Sequence, residues 1–277
     1  MVLDEKSLRK LQLIELGALL EVKRICEKHH IQYILTGGSL LGAVRHHGFI
    51  PWDDDIDIGM LRDDYERFVS VCGSELNEMY YLQTQSSDVN YAYPFSKIRV
   101  NGTQYMDEST WHIEMHHGVW IDIFPYDNFP DDKIASILHT YALRYFMDSY
   151  CVLCGYGSSR GVFYQIFRIF ASLPLRFFGK KLSLRAMIYE ITRYNKVRTE
   201  YVTMSMSMPK YSRFFCKRED FFNIQFIMFE GHHFPIPAVS HPILSRMYGD
   251  DYMQYPPVDQ RHPIHNPIVF DLGNQDV

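Results

Sequence analysis

A glycine pair and a set of aspartates carry the chemistry that this sequence can perform. Gly37-Gly38-Ser39 is followed, sixteen residues after Ser39, by Asp55-x-Asp57 within Asp53-Asp54-Asp55-Ile56-Asp57-Ile58-Gly59. Alternation of Asp and Ile is a period-2 pattern and predicts a strand with one polar face. Residues two apart in a strand share a face, so Asp55 and Asp57 project together while Ile56 and Ile58 pack inward. Two aligned carboxylates repel unless a cation lies between them, and hard oxygen ligands suit Mg²⁺ or Mn²⁺. Glycine permits close backbone approach to a ligand. The helix expected after Ser39 offers free N–H groups to an anion such as phosphate. Either motif alone reads as an ordinary turn or a solvated acidic loop; together they point to phosphoryl chemistry. Asp122 interrupts the apolar run Val119 to Phe124. It becomes a third converging acid if its strand lies beside that of Asp55, because neighbouring strands are about 4.8 Å apart.

The elements that must position these groups follow from periodicity. Residues 7–30 have helical spacing, with Leu8, Leu11, Leu16, Leu19 and Ile25 on one side. Ile31 to Leu35 reads as a short strand stopped by the glycine pair, and Leu40 to Arg45 as a short helix. Residues 62–72 return to helix. Residues 93–106 read as two strands around an Asn101-Gly102 hairpin turn. Val119 to Pro125 is another strand. From about 132 to 200 the chain is helical, and 201–277, rich in Pro, His and Tyr, reads as loop-heavy.

Composition excludes several classes. The 277 residues are 47% hydrophobic and 22% charged, as in globular proteins. The net charge of −5 argues against general nucleic-acid binding. No apolar run reaches membrane-spanning length. The opening MVLDEKSLRK has no basic-then-apolar leader pattern, so a cytoplasmic chain is expected. Cys151 and Cys154 form one isolated C-x-x-C without a second ligand pair, and are expected as buried helix residues rather than a zinc site.

The segment LTGGSLLGAVRHHGFIPWDDDIDIGM at 35–60 resembles the LicD family of phosphotransferases, which includes the fukutin-related proteins. KIR at 97–99, HHGVWIDIFPYD at 116–127 and MYGDDYM at 247–253 extend the likeness. The resemblance implies an α+β fold with a nucleotidyltransferase-like core, a mixed sheet flanked by helices, and a helical lobe. A change in texture near 130 divides the chain into a catalytic core over 1–130 and a helical lobe and loop-rich segment over 131–277 that completes the same unit. Asp55, Asp57 and Asp122 then correspond to metal ligands, and Asp53 to a further acid that touches metal or positions the acceptor. The implied reaction moves a phospho-alcohol, phosphocholine first, from a CDP-linked donor to a cell-surface glycan or lipid-linked glycan, as in lipopolysaccharide or teichoic-acid synthesis. Nucleotidyl transfer releasing pyrophosphate and a non-catalytic glycan- or nucleotide-binding module are the alternatives.

A diphosphate donor needs cations besides a metal. Arg45, between the glycine turn and the aspartates, and Lys97 and Arg99, two apart in a strand, are the candidates beside Gly37, Gly38 and Ser39. His46, His47, His116 and His117 are candidate bases and Asp53 competes with them, while His262 and His265 form a weaker cluster. Residues 160–185 interleave Phe163, Phe167, Phe170, Phe177 and Phe178 with Arg160, Arg168, Arg176, Lys180, Lys181 and Arg185, and contain no acid. We take the Phe side as the core of a helical lobe, broken at Pro174. The alternative is peripheral contact with the inner face of an anionic membrane.

Overall fold

The apolar stripe of the N-terminal segment becomes helix α1, Glu5–His29, capped by Asp4, whose carboxylate accepts from the Ser7 N–H at 2.7 Å. His30 ends it in the left-handed region at φ 51°, turning the chain into strand β1, Ile34–Leu35. In chain order there follow α2 (Gly37–His46), β2 (Asp57–Leu61), α3 (Arg62–Glu75), β3 (Tyr80–Gln83), β4 (Ser96–Val100), β5 (Gln104–Asp107) and β6 (Trp120–Asn128). Next come α4 (Lys133–Leu153), α5 (Val162–Thr192), β7 (Tyr201–Met204), β8 (Phe215–Lys217), β9 (Ile224–Phe229), β10 (His232–Pro237), α6 (His241–Tyr248) and β11 (Pro267–Asp271). The structure is a computed structural model that describes residues 3–157, 161–204 and 215–274.

Strand β6 organises a curled mixed sheet. Along one edge it pairs parallel with β2, placing Asp57 opposite Asp122. Along the other edge it pairs antiparallel with β4 and then, over Tyr126 to Asn128, with β7. β1 extends the sheet from β2, β3 from β4, and β8 from β7. Leu11, Leu19, Val22 and Ile25 of α1 and Phe68 of α3 pack with Ile58, Ile98, Ile121 and Ile123 of the sheet in the main core. A second core joins α4 to the end of α5 through Leu143, Met147, Met187 and Ile191.

Several expectations are corrected. The acidic strand begins only at Asp57. The segment before it follows a turn at Pro51-Trp52 without regular structure, and its Asp54 carboxylate accepts from the N–H groups of Ile264 and His265 at 3.1 Å each. No hairpin forms around Asn101-Gly102, because residues 117–119 run between the arms: Val100 N–H donates to Val119 at 2.8 Å, and Tyr105 N–H to His117 at 2.7 Å. β5 pairs with β11 instead. The C-terminal segment holds strands and a helix as well as loops. Its hairpin β9–β10 turns on Glu230 and Gly231, both at positive φ, the signature of a type I′ turn. Finally, α5 breaks at Gly179, φ 78°, and not at Pro174. Ser183 Oγ donates to the carbonyl of Leu175 before the kink and to that of Gly179 at it.

The Phe side of α5 is not core. Phe163, Phe167, Phe170, Phe177 and Phe178 are all exposed, while Arg168 is buried beside Asp148; Arg160 lies outside the described residues. Cys151 in α4 and Cys154 at its end are buried free thiols in the second core. Among the described residues no helix is long and apolar enough to cross a membrane.

Asp127, at the end of β6, is buried and grips Arg62 at the start of α3 through two bonds of 2.6 and 2.8 Å. Asp127→Asn leaves that guanidinium buried without its counter-charge. It is expected to lower unfolding free energy by about 3–5 kcal/mol in urea titration; a loss under about 1 kcal/mol would show the pair to be dispensable.

Candidate active site

Parallel pairing of β2 with β6 brings the acids together. Carboxylate oxygens of Asp55, Asp57 and Asp122 all lie within 4.8 Å of one another. They line a cavity of 1670 Å³, with Gly37, Gly38, Arg45, Asp53, Lys97, Arg99, Trp120 and His265 also on its wall. Asp53, Asp54 and Asp55 form a second acidic group of similar spacing. Both oxygens of Asp54 are already taken by the 264–265 backbone and by Tyr105 Oη at 3.1 Å, so Asp54 fastens the C-terminal segment to the site.

The acids are held where ionisation is opposed. Burial and then the neighbouring acids push Asp57 and Asp53 well above the usual carboxylate range. Asp55 rises to about 6, through burial that His265 partly opposes. Beneath them Glu15 of α1 is buried, with Oε2 unpartnered, and burial followed by the charges of Asp55, Asp54 and Asp53 raises it too. An all-oxygen donor set of this density fits a hard divalent cation, which would relieve the repulsion.

The glycines are needed at contact distance. Gly37 opens α2 at φ +57°, and a Cβ there would collide with Asp57 Oδ2. At Gly38 a Cβ would lie 2.5 Å from Asp53 Oδ2. Both glycines fall inside the helix and not in a turn ahead of it. The N-cap Thr36 makes no side-chain bond to the first turn; its hydroxyl pairs with Tyr126 at 2.7 Å. Ser39 Oγ accepts from the Asp57 N–H at 2.8 Å, which ties the helix to the start of β2.

The three cations differ. Lys97 Nζ donates to Asp122 Oδ1 at 2.5 Å and sits 4.4 Å from the Trp120 ring centre. Arg99 is buried, donating to Gln83 at 2.8 Å and to the Gly118 carbonyl at 2.6 Å. Burial lowers both pKa values. These are cavity-wall cations, not surface charges. Arg45 donates to the carbonyls of Tyr252 and Gln254 at 2.7 and 3.0 Å and lies over Trp52 and Tyr255, so much of its guanidinium anchors the C-terminal segment.

Among the histidines, His116 is pinned to Asn101 at 2.9 Å and stacked on Tyr81, and burial lowers it to about 4. His117 lines the cavity and bonds the Ile113 carbonyl. His46 lies against Tyr255, and His47 is the left-handed C-cap of α2. His265 is the residue sequence reasoning undervalued. Its ring lies 3.3 Å from Asp54 and edge-on to Trp120. Burial lowers its pKa, but the Asp54 bond and the charge of Asp55 outweigh that and raise it to about 9. Its pairing with residues more than two hundred positions earlier left no local signal. Tyr248 and Tyr252 also line the cavity and lie in the 247–253 motif, the one signal that could have found them.

Fold and site thus define a mixed α/β protein whose carboxylates converge beside a helix N-terminus at the wall of a large cavity. A family model for the LicD/FKTN/FKRP nucleotidyltransferase domain matches residues 30–140. The chain is 30% identical over 263 residues to the lipopolysaccharide cholinephosphotransferase LicD of Haemophilus influenzae, across 94% of this chain and 96% of that protein. It is 28% identical over 132 residues to the human ribitol 5-phosphate transferase FKRP, across 44% of this chain and 27% of that protein. The chain belongs to the LicD family.

Proposed function

We propose that this protein is a metal-dependent phosphotransferase that moves a phospho-alcohol, phosphocholine first, from a CDP-linked donor to a glycan hydroxyl. The observation that carries the reading is the convergence of Asp55, Asp57 and Asp122 beside Gly37 and Gly38 in one cavity. End-to-end similarity to a cholinephosphotransferase supports the donor class. A divalent cation held by Asp55, Asp57 and Asp122 would neutralise the diphosphate and the departing CMP.

The chain's own groups do the rest. The amides at the start of α2 would face an anionic group of the donor, and Gly37 and Gly38 let the Asp57 and Asp53 carboxylates lie against that helix start. Lys97, paired with Asp122, and Arg99 supply positive charge on the cavity wall. The acceptor oxygen bonds to the phosphorus that carries the alcohol, the anhydride bond to CMP breaks, and Asp53 takes the hydroxyl proton. The core over 1–130 holds all the proposed catalytic groups, and the 131–277 segment closes the cavity through His265, Tyr248 and α5.

The test is product analysis with CDP-choline, CDP-glycerol and CDP-ribitol in the presence of Mg²⁺ or Mn²⁺ and a glycan acceptor. CMP release, fastest from CDP-choline, is the expected outcome. Pyrophosphate release from a nucleoside triphosphate, with no CMP from any donor, would assign the protein to nucleotidyl transfer instead.

A further inference from the structure

Helix α5 is amphipathic with its apolar side outward. Along residues 162–178, Phe163, Ile166, Phe167, Phe170, Leu173 and Phe177 recur at the spacing of one helical face. All six are exposed, Phe163 and Phe177 by 92% and 89%. The side turned to the protein carries Arg168, Ser172 and Leu175. Among the described residues, none of 162–178 joins either apolar core. The neighbouring helix α4 repeats the pattern: Ile134, Ile137, Leu138 and Tyr141 share a face, and all are exposed. Solvent-facing apolar stripes of this length mark surfaces that are covered in use.

Charge selects what covers it. Arg176, Lys180, Lys181 and Arg185 stand exposed at the end of the Phe stripe and just beyond the Gly179 kink. No acidic residue occurs between Asp148 and Glu190, although the chain as a whole carries −5. A two-fold dimer through this face would set the same cations against each other. An anionic lipid surface takes both features, the aromatic rings at the acyl boundary and the cations among headgroups. α5 does not meet the length and hydropathy of a crossing helix, so it would lie along the surface.

We propose that the Phe face of α5 docks the protein peripherally on an anionic membrane. The cavity that holds Asp55, Asp57 and Asp122 is also lined by Tyr164 and Arg168 of α5. Docking therefore holds a cavity-lining helix against the lipid surface, within one helix diameter of where an acceptor built on a lipid would be presented. That consequence rests on the transfer reaction proposed above; vesicle binding does not, and is measured without turnover.

The full chain is sedimented with vesicles of phosphatidylcholine alone and of phosphatidylcholine with phosphatidylglycerol, at low salt. Binding to the anionic vesicles is expected to exceed binding to neutral ones by about tenfold or more. The combined variant Phe163→Ser, Phe167→Ser, Phe177→Ser is expected to lose that binding with an unchanged circular dichroism spectrum. Arg176→Gln, Lys180→Gln, Lys181→Gln and Arg185→Gln together are expected to remove the preference for anionic lipid. Absence of binding, equal binding to both vesicles, or binding untouched by the Phe variant overturns the proposal. So does a dimer in sedimentation velocity that the Phe variant dissolves while vesicles are ignored; that result gives the face to a second copy.

Discussion

Asp57→Asn is expected to lower turnover by about a thousandfold or more while the protein stays folded. The substitution keeps the side-chain shape and removes one charged oxygen from a set whose members lie within 4.8 Å of one another. Loss of a metal ligand costs several kcal/mol of transition-state stabilisation, and about 4 kcal/mol is a thousandfold in rate. Folding is spared because burial and the neighbouring acids oppose the charge on Asp57 in the first place. A second readout needs no activity. Mg²⁺ or Mn²⁺ at about a hundred times its Kd should raise the stability of the parent by about 2.7 kcal/mol, seen as a higher Tm. In Asp57→Asn that rise should vanish, and the metal-free variant should be no less stable than the metal-free parent. A variant that keeps both its rate and its metal-dependent Tm would remove Asp57 from the site; Asp55→Asn is expected to behave as Asp57→Asn does.

Gly38→Ala is the second large effect. The added methyl would sit 2.5 Å from Asp53 Oδ2, so either the carboxylate or the start of α2 must move. A displacement of about 1 Å at a reacting centre costs on the order of a hundredfold in rate. Stability changes little, since alanine is the better helix former. Gly73→Ala in α3 is the control. A Cβ there meets nothing within 4 Å, so activity should be unchanged and stability higher by about 0.5–1 kcal/mol. If Gly38→Ala turns over normally, the close approach of α2 to Asp53 has no part in the chemistry.

Much of the site was legible because its signals are local. Period-2 alternation placed Asp55 and Asp57 on one side, and that parity survives although the regular strand starts only at Asp57. An acid alone in an apolar run singled out Asp122, and the strand containing it does lie beside β2. The pair Lys97 and Arg99 came from the same arithmetic, since both side chains fall on the cavity wall. The sequence by itself therefore determined which residue types converge, the alternation that aligns them, and the family.

Tertiary structure decided what depends on distant partners. Asn101-Gly102 satisfies the rule for a hairpin turn, yet residues 117–119 take the hydrogen bonds that the arms would have exchanged. Gly179 and not Pro174 breaks α5: the glycine takes φ 78°, and Ser183 Oγ then reaches the Leu175 carbonyl across the break, a contact that local propensity does not encode. His265 reaches the site through distant partners: Asp54 binds its backbone across more than two hundred residues of chain, and the next strand, β11, pairs with β5. The Phe stripe of α5 fixes an amphipathic helix but not which face meets the protein. In the fold Arg168, 3.8 Å from Asp148, lies on the buried side and the aromatic side faces outward, a choice that periodicity alone leaves open.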